Sequence, residues 1–390
     1  MTSPSRRLLF LKHSLQWPRV RGHDVHTYAL MKALGDMGHE LNLFTVERPA
    51  DAALAGLRTR STVSSEVAER GEPVPLPWLQ ERFRSYWGVE GEDLTAFGAL
   101  ARQWQPDVIV ATGPEALPYL AVSPRSSCRV WYAADDLSWQ HLVQVRSLGR
   151  DAWANLRMAV INAAYERTFS RSFDRAWVVS DVDARAMHLI GGARRVDVIP
   201  NGVDTDYFRP RQQPGRPNSA IFWGNMSFEP NVRAVEWFCS TVWPIIRQRR
   251  PTARLSIAGS SPSQAVRHLS GKHGVEVLGQ LEDIRDAIAE HAIAVMPFVS
   301  GAGLKNKMLE AAAMGRATIC SPVALNGLRG AVEEAFVVVR EPHEWVRRIE
   351  ALWDDESART TLGTRAREWV ECHHTWRRAA GQAIAALQQP

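Results

Sequence analysis

Short apolar runs alternate with amphipathic stretches along most of the sequence. Leu8–Leu11 is a continuous apolar run and predicts a strand buried on both faces. Asp24 suits the N-cap of a helix that would carry Val25, Tyr28, Ala29, Ala33 and Met37 on one face and end at Gly38. The strand pattern returns at Leu41–Val46, Asp107–Val110, Arg129–Tyr132, Ala176–Val179 and Val196–Ile199. Doubly buried strands with helices between them predict a parallel sheet covered on both sides.

The pattern breaks at 209–218, RPRQQPGRPN, which is polar, Pro-rich and aperiodic and reads as a linker. A second strand series follows at Ala220–Trp223, Leu255–Ala258, Val275–Leu278, Ile293–Pro297, Ala317–Cys320 and Phe336–Val339. Helical stretches separate these strands, among them Arg233–Arg249, Asp283–Glu290 and Leu304–Met314. The fold class is therefore α/β, with two doubly wound domains at 1–208 and 219–370. A tail helix at 371–390 is expected to pack back toward the first domain. Two such domains facing each other across a cleft hold ligands outside the carboxyl ends of their strands. Residues 52–105 are the least periodic. Their cluster of Trp78, Arg82, Phe83, Arg84, Tyr86 and Trp87 fits either a packed helix or a patch facing an acceptor or a membrane.

Composition narrows the function. Of 390 residues, 45% are apolar and 23% charged, which is ordinary for a globular protein. Cysteines at 128, 239, 320 and 372 lack metal-ligand spacing, as expected of a reduced, cytoplasmic chain. Leu8–Leu11 is too short for a signal peptide, and no apolar run approaches the ~20 residues of a membrane span. Membrane contact is then expected to be peripheral, at the inner face. A net charge of +5 is too small for a nucleic-acid coat, but it favours anionic ligands. Only five of the 47 basic residues are Lys, at 12, 32, 272, 305 and 307, and two of these share one short loop.

That loop, Ser300–Gly315 (SGAGLKNKMLEAAAMG), follows a strand and opens a helix. Gly301 and Gly303 permit positive φ and close approach of a ligand. Unpaired amides at the helix start favour an anion, and Lys305 and Lys307 add charge there. With Glu310 one turn on, the set suits a nucleoside diphosphate: cations on phosphate, a carboxylate on ribose hydroxyls. It equally suits a capped helix with a surface Lys307–Glu310 pair, worth only ~0.2–0.5 kcal/mol. In the first half, His23 and His26 lack a third metal ligand, so no metal is expected. No GxGxxG follows the first strand, which argues against a dinucleotide oxidoreductase. After Arg129–Tyr132 comes AADDLSWQH, where Asp135 or Asp136 could orient or deprotonate an acceptor hydroxyl, with His141 nearby. Either aspartate is also suited to capping the next helix.

The sequence resembles retaining glycosyltransferases of family 4 (group 1), which have the GT-B fold. The matching segments are IPNGVDTDYFRP (199–210), FWGNMSFEPNVRAVEWF (222–238), LSIAGSSPS (255–263), VEVLGQLEDIRDAIAEHAIAVMPF (275–298) and GAGLKNKMLEAAAMGRATICSP (301–322). In the first half they are GHDVHTYALMKALGDMGHELNLFT (22–45) and VVSDVDARAM (178–187). The subgroup resembled, with G-x-G-x-x-x-K-x-L-E, is associated with bacterial exopolysaccharide assembly.

The resemblance implies a hexosyltransferase-type enzyme (EC 2.4 class). It would move a sugar from a nucleotide-diphosphate donor to a hydroxyl acceptor, such as a lipid-linked oligosaccharide, without a metal or other cofactor. It implies front-face attack with retention, the donor phosphate taking the acceptor proton. It places Gly22 in a glycine loop near the diphosphate, with His23 on the acceptor side. Gly224, Gly259, Gly279 and Leu281 would frame the nucleotide. Gly301, Gly303, Leu304 and Asn306 would line the donor loop, and Glu310 would hold ribose. Two departures stand out. Ala302 replaces a family glutamate, and Gly224-Asn225-Met226 with Asn231 replaces an Arg and Lys, leaving Lys305 and Lys307 as the substitute cations. Asn201-Gly202-Val203-Asp204 reads as a structural turn or a hinge. The alternatives are a nucleotide-sugar epimerase of the same fold and a non-catalytic glycan-assembly partner.

Overall fold

In the computed structural model, described for residues 4–16, 22–68, 72, 74–133, 152–211, 215–301 and 303–389, the chain divides into two compact units. The first comprises Met1–Pro200 with Trp376–Pro390, and the second Asn201–Thr375.

The first unit holds a seven-stranded parallel sheet: β1 (Arg7–Lys12), β2 (Glu40–Thr45), β3 (Thr59–Val63), β4 (Val108–Thr112), β5 (Cys128–Tyr132), β6 (Arg175–Val178) and β7 (Val196–Val198). Its order is β3-β2-β1-β4-β5-β6-β7. The central strands are apolar because both faces are covered. On one face Leu8, Phe10, Val108 and Val110 meet Leu30, Met31 and Leu34 of the Gly22–Asp36 helix. On the other, Leu9, Leu11 and Ile109 meet Phe97 and Leu100 of the Gly91–Trp104 helix.

Three expectations change here. β3, Thr-Arg-Ser-Thr-Val, lies in the segment that showed least periodicity. It is an edge strand, so the polar residues that hide it from a hydrophobic pattern are tolerated. The Gly22–Asp36 helix begins before Asp24, so Asp24 sits in its first turn rather than at its cap. Its buried face is Thr27, Leu30, Met31 and Leu34, while Met37 is exposed.

The second unit holds β8 (Arg216–Trp223), β9 (Arg254–Ala258), β10 (Val275–Gly279), β11 (His291–Met296), β12 (Thr318–Cys320) and β13 (Val337–Val338). The order β10-β9-β8-β11-β12-β13 repeats the 3-2-1-4-5-6 winding of a dinucleotide-binding fold. The expected linker 209–218 is corrected: Arg216 already belongs to β8, and the units part at Pro200/Asn201. The aperiodic composition had marked a polar approach to a strand rather than a boundary. The helix expected over Arg233–Arg249 is continuous but widens at Phe238–Val242 before Pro244, which supplies no N–H.

The tail also divides later than residue 371. The Pro342–Asp354 and Glu356–His373 helices belong to the second unit, burying Trp345, Trp353 and Trp369. Only the Trp376–Ala386 helix belongs to the first unit. There Ala379, Ala380, Ala383 and Ile384 pack with the Gly22–Asp36 helix, and Trp376 lies 5.7 Å from the His26 ring.

Candidate functional site

In the second sheet the connections leave β8 and β11 in opposite directions. A crevice therefore opens at their carboxyl ends, the usual ligand position in a doubly wound sheet. Two loops border it. One runs from Gly224 into the Glu229–Trp237 helix; the other leaves β11 and enters the Asn306–Ala313 helix. The backbones approach closely here. Gly224 has φ 146°, and a Cβ on it would lie 2.9 Å from Lys307 Nζ and from Asn231 Nδ2. A Cβ on Gly259, after β9, would lie 1.7 Å from the Gly224 carbonyl oxygen. Neither position accepts a side chain without displacing its neighbours.

Lys307 crosses from the second loop's helix to the first loop. Its Nζ donates to Asn231 Oδ1 at 2.8 Å, and Asn231 Nδ2 donates to the Asn225 carbonyl at 2.8 Å. The ammonium lies 5.2 Å from the Phe222 ring centroid and 5.0 Å from that of Phe298. Burial pushes its pKa down to about 7, and Lys305 adds to the fall. Glu310 opposes it but does not prevail. A cation is thus held in surroundings that hydrate it poorly, the condition under which an incoming anion gains most.

Lys305 is placed differently. It is buried, and its Nζ donates to the Gly303 carbonyl at 2.8 Å and the Gly301 carbonyl at 3.2 Å. It therefore ties the loop back on itself. Gly301 and Gly303 adopt φ 112° and 73°. Asn306, the first residue of the helix, accepts at Oδ1 from Asn201 Nδ2 at 3.1 Å. Glu310 Oε2 accepts from the Trp223 indole N–H at 2.7 Å. Gly279 closes β10 at φ 69°, its amide neighbourhood tied to β9 by the Gly259 N–H donating to the Gly279 carbonyl at 2.7 Å. Leu281 and Leu304 are partly buried against the same core.

Two family models match the chain. Residues 20–207 match "Glycosyltransferase Family 4" and residues 217–355 match "Glycosyl transferases group 1". The chain belongs to the family 4, group 1 glycosyltransferases. No curated protein sequence matches it. Among solved structures it resembles a sucrose-phosphate synthase from Thermosynechococcus elongatus, with TM-score 0.69, 16% identity and 98% of each chain covered. It also resembles Anabaena HepE in complex with UDP-glucose, with TM-score 0.66, 16% identity, and 98% of this chain and 99% of that one covered. A third is a TarM variant from S. aureus, in complex with fondaparinux, alpha-GlcNAc-glycerol and UDP. It has TM-score 0.67, 8% identity, and 98% and 100% coverage. These likenesses concern the fold, which is that of the GT-B glycosyltransferases.

Within this glycosyltransferase the structure brings Gly224, Gly259, Lys307, Asn231 and Glu310 together at the β8/β11 crevice. The sequence had flagged Asn231 only as the absence of a cation. Its amide is instead the partner that receives one from another helix. Trp223 was read only as the last residue of a strand, and an indole directly before the glycine that follows β8 was the available signal.

In the first unit, Gly22 starts its helix. Asp135, Asp136, His141 and the His23 side chain lie outside the described residues, as does Ala302. The sequence reading missed one pair there. Lys12, at the end of β1, places Nζ 3.2 Å from Asp24 Oδ1, both side chains buried. The scarcity of lysine that drew attention to residues 305 and 307 applied to Lys12 as well.

Proposed function

We propose that this glycosyltransferase moves a sugar from a nucleotide-diphosphate donor to a hydroxyl acceptor with retention, in exopolysaccharide or other glycan assembly. The observation that carries the reading is Lys307, a poorly hydrated cation held at the β8/β11 crevice by Asn231. It stands in for the cations missing after β8. Lys307 and the amides opening the Asn306–Ala313 helix neutralise the diphosphate as it leaves, and Glu310 accepts from ribose hydroxyls. Lys305 shapes the loop. The bond from the anomeric carbon to the diphosphate breaks as the acceptor oxygen bonds on the same face. The acceptor proton passes to the departing phosphate oxygen. HepE, a structure of like fold, is described in complex with UDP-glucose, which supports a nucleotide-sugar donor.

The acceptor we propose is a lipid-linked oligosaccharide. Asp135, Asp136, His141 and His23 are the acceptor-side groups of the reading. Peripheral contact with the inner membrane face is part of it, through the exposed Trp78, Leu79 and Tyr86 of the Trp78–Tyr86 helix. Nothing observed favours an epimerase, which would convert the donor with no acceptor present.

The reading is tested with purified chain and a panel of nucleotide-sugars. Lys307→Ala should lower kcat/KM by roughly 10²–10³, the usual loss for an electrostatic group at a developing anion. Glu310→Ala should chiefly raise the donor KM. Unchanged turnover in both variants would sink the assignment.

A further inference from the structure

The Trp223 indole is placed unlike the other large aromatics of the second unit. Trp223 is the last residue of β8, one position before Gly224, and is buried in the core with Phe222 and Phe298. Trp243, Trp353 and Trp369 each donate their indole N–H to a main-chain carbonyl, of His273, Ser219 and Arg329 respectively. Trp223 Nε1 donates to a carboxylate instead, Glu310 Oε2, at 2.7 Å. That separation is at the short end for N–H···O and is expected of a charged acceptor.

An indole nitrogen donates and never accepts. A carboxylate held by it is fixed in rotation and keeps its role as an acceptor. A carboxylate accepts about four hydrogen bonds in all, so the indole occupies one position and selects donors for the remainder. Hydroxyls meet that requirement; phosphate oxygens, which only accept, do not. Glu310 lies on the second turn of the Asn306–Ala313 helix, one turn beyond Lys307. Anion and hydroxyls are thereby sorted along one helix: Lys307 toward Asn231 and β8's loop, Glu310 toward the β8 indole.

We infer that Trp223 is a positioning residue that aims Glu310 at the ribose hydroxyls of the donor, so that discrimination between ribose and deoxyribose is set from β8 as well as from the helix. This rests on the nucleotide-sugar reading and adds to it a residue, an atom and a specificity. Trp223 acts through Glu310, so its effect should vanish when Glu310 is absent.

The experiment is calorimetric binding of UDP and of 2′,3′-dideoxy-UDP to the full chain and to Trp223→Phe, Glu310→Ala and the double variant. Wild type should prefer UDP by roughly tenfold or more, the range for hydrogen bonds to a charged group. Trp223→Phe keeps an aromatic side chain and loses the N–H with the pyrrole part of the indole. It should lose most of that preference, with dideoxy-UDP binding nearly unchanged. The double variant should bind as Glu310→Ala does, which a merely structural loss would not produce. If Trp223→Phe keeps the wild-type preference, the positioning role is overturned while the nucleotide site stands. If wild type itself shows no preference, the ribose role of Glu310 falls, and this inference with it. A second measurement does not depend on the Phe variant folding. In ¹⁵N-tryptophan spectra, Glu310→Gln should move one indole N–H resonance upfield, since a neutral acceptor replaces a charged one. No moving resonance would overturn the inference.

Discussion

Lys307 differs from an ordinary surface lysine in what surrounds its ammonium: two phenyl rings and the Asn231 amide enclose it, Lys305 pushes its pKa down and Glu310 pushes it up. Burial dominates and pulls the pKa from 10.5 to about 7. The unfolded chain keeps this proton until about pH 10, whereas the folded, ligand-free protein releases it near 7. Between those values the unfolded state holds more protons, so stability contributed by this residue rises with pH. Urea midpoints at pH 7 and pH 9 should therefore separate the wild type from Lys307→Met, with the variant lacking part of the rise. Binding has the opposite sign. A diphosphate beside the ammonium raises its pKa, so the complex takes up a proton and affinity falls as pH climbs above about 7. Calorimetry in two buffers of different ionisation heat should reveal that uptake at pH 8, and Lys307→Arg, charged throughout, should abolish it. The lysine itself was legible because nearly nine-tenths of the basic complement is Arg, which makes each Lys conspicuous. Its low pKa was not, because Phe222, Phe298 and Asn231 come from other elements. Lys12 shows the converse: the same scarcity marked it, but its buried partner Asp24 became visible only once β1 and the following helix were in place.

At the scale of elements, apolar runs marked the buried strands to within a few residues, because a strand covered on both faces has no polar phase to blur it. β3 escaped as a polar edge strand, and the face of the Gly22–Asp36 helix was misread because Ala and Tyr residues on its flank mimicked a stripe. The Asn201–Asp204 segment shows what pattern cannot supply. Asp204 Oδ1 accepts from the N–H groups of Asp206 and Tyr207, the turn expected of this sequence. Asn201, however, also reaches Asn306 at the start of the donor-loop helix. Its carbonyl accepts from His374 Nδ1 at 3.0 Å, and His374 Nε2 accepts from the Arg329 N–H at 3.0 Å. Val203 pairs with Thr375 alongside. A ring that donates at one nitrogen and accepts at the other must be neutral. Burial accordingly drives the His374 pKa down to about 4. Because the unfolded imidazole protonates near 6.5, stability from this clamp is complete above that pH and is lost as pH falls toward 4. His374→Ala leaves two main-chain groups without their partner and should cost about 2–4 kcal/mol at pH 7. The deficit should shrink at pH 4.5, read as the difference in urea midpoints between the two proteins.

For the molecule as a whole, the two-unit α/β plan was readable from repetition of one strand pattern, although composition misplaced the boundary by several residues. Charge was less informative: a net +5 spread over 390 residues defines no target. Its local distribution does. Among the described residues no helix is long and apolar enough to cross a membrane, and the peripheral contact proposed above is placed on one exposed helix. The Trp78–Tyr86 helix has no buried residue in its own right. Trp78 is 70% exposed and Tyr86 57%, with Leu79 beside them. The Arg82 guanidinium lies 5.2 Å from the Trp78 ring centroid, and Arg84 pairs with Glu81 on the flank. Indole and phenol rings with an adjacent arginine suit the boundary between headgroups and acyl chains, where each end of an amphipathic ring finds its solvent. Each nearby basic residue adds about 1 kcal/mol of attraction to an anionic leaflet, and this attraction is screened by salt. The chain should therefore sediment with phosphatidylglycerol vesicles at low salt, weakly with phosphatidylcholine, and progressively less as salt rises. Trp78→Ala with Tyr86→Ala should lower the vesicle affinity by roughly tenfold or more, from the apolar area withheld from the interface. Turnover of a water-soluble acceptor should be unaffected, because these side chains are exposed on a helix remote in sequence from the donor loop. Equal sedimentation of variant and wild type would assign the attraction to the diffuse basic surface rather than to this helix.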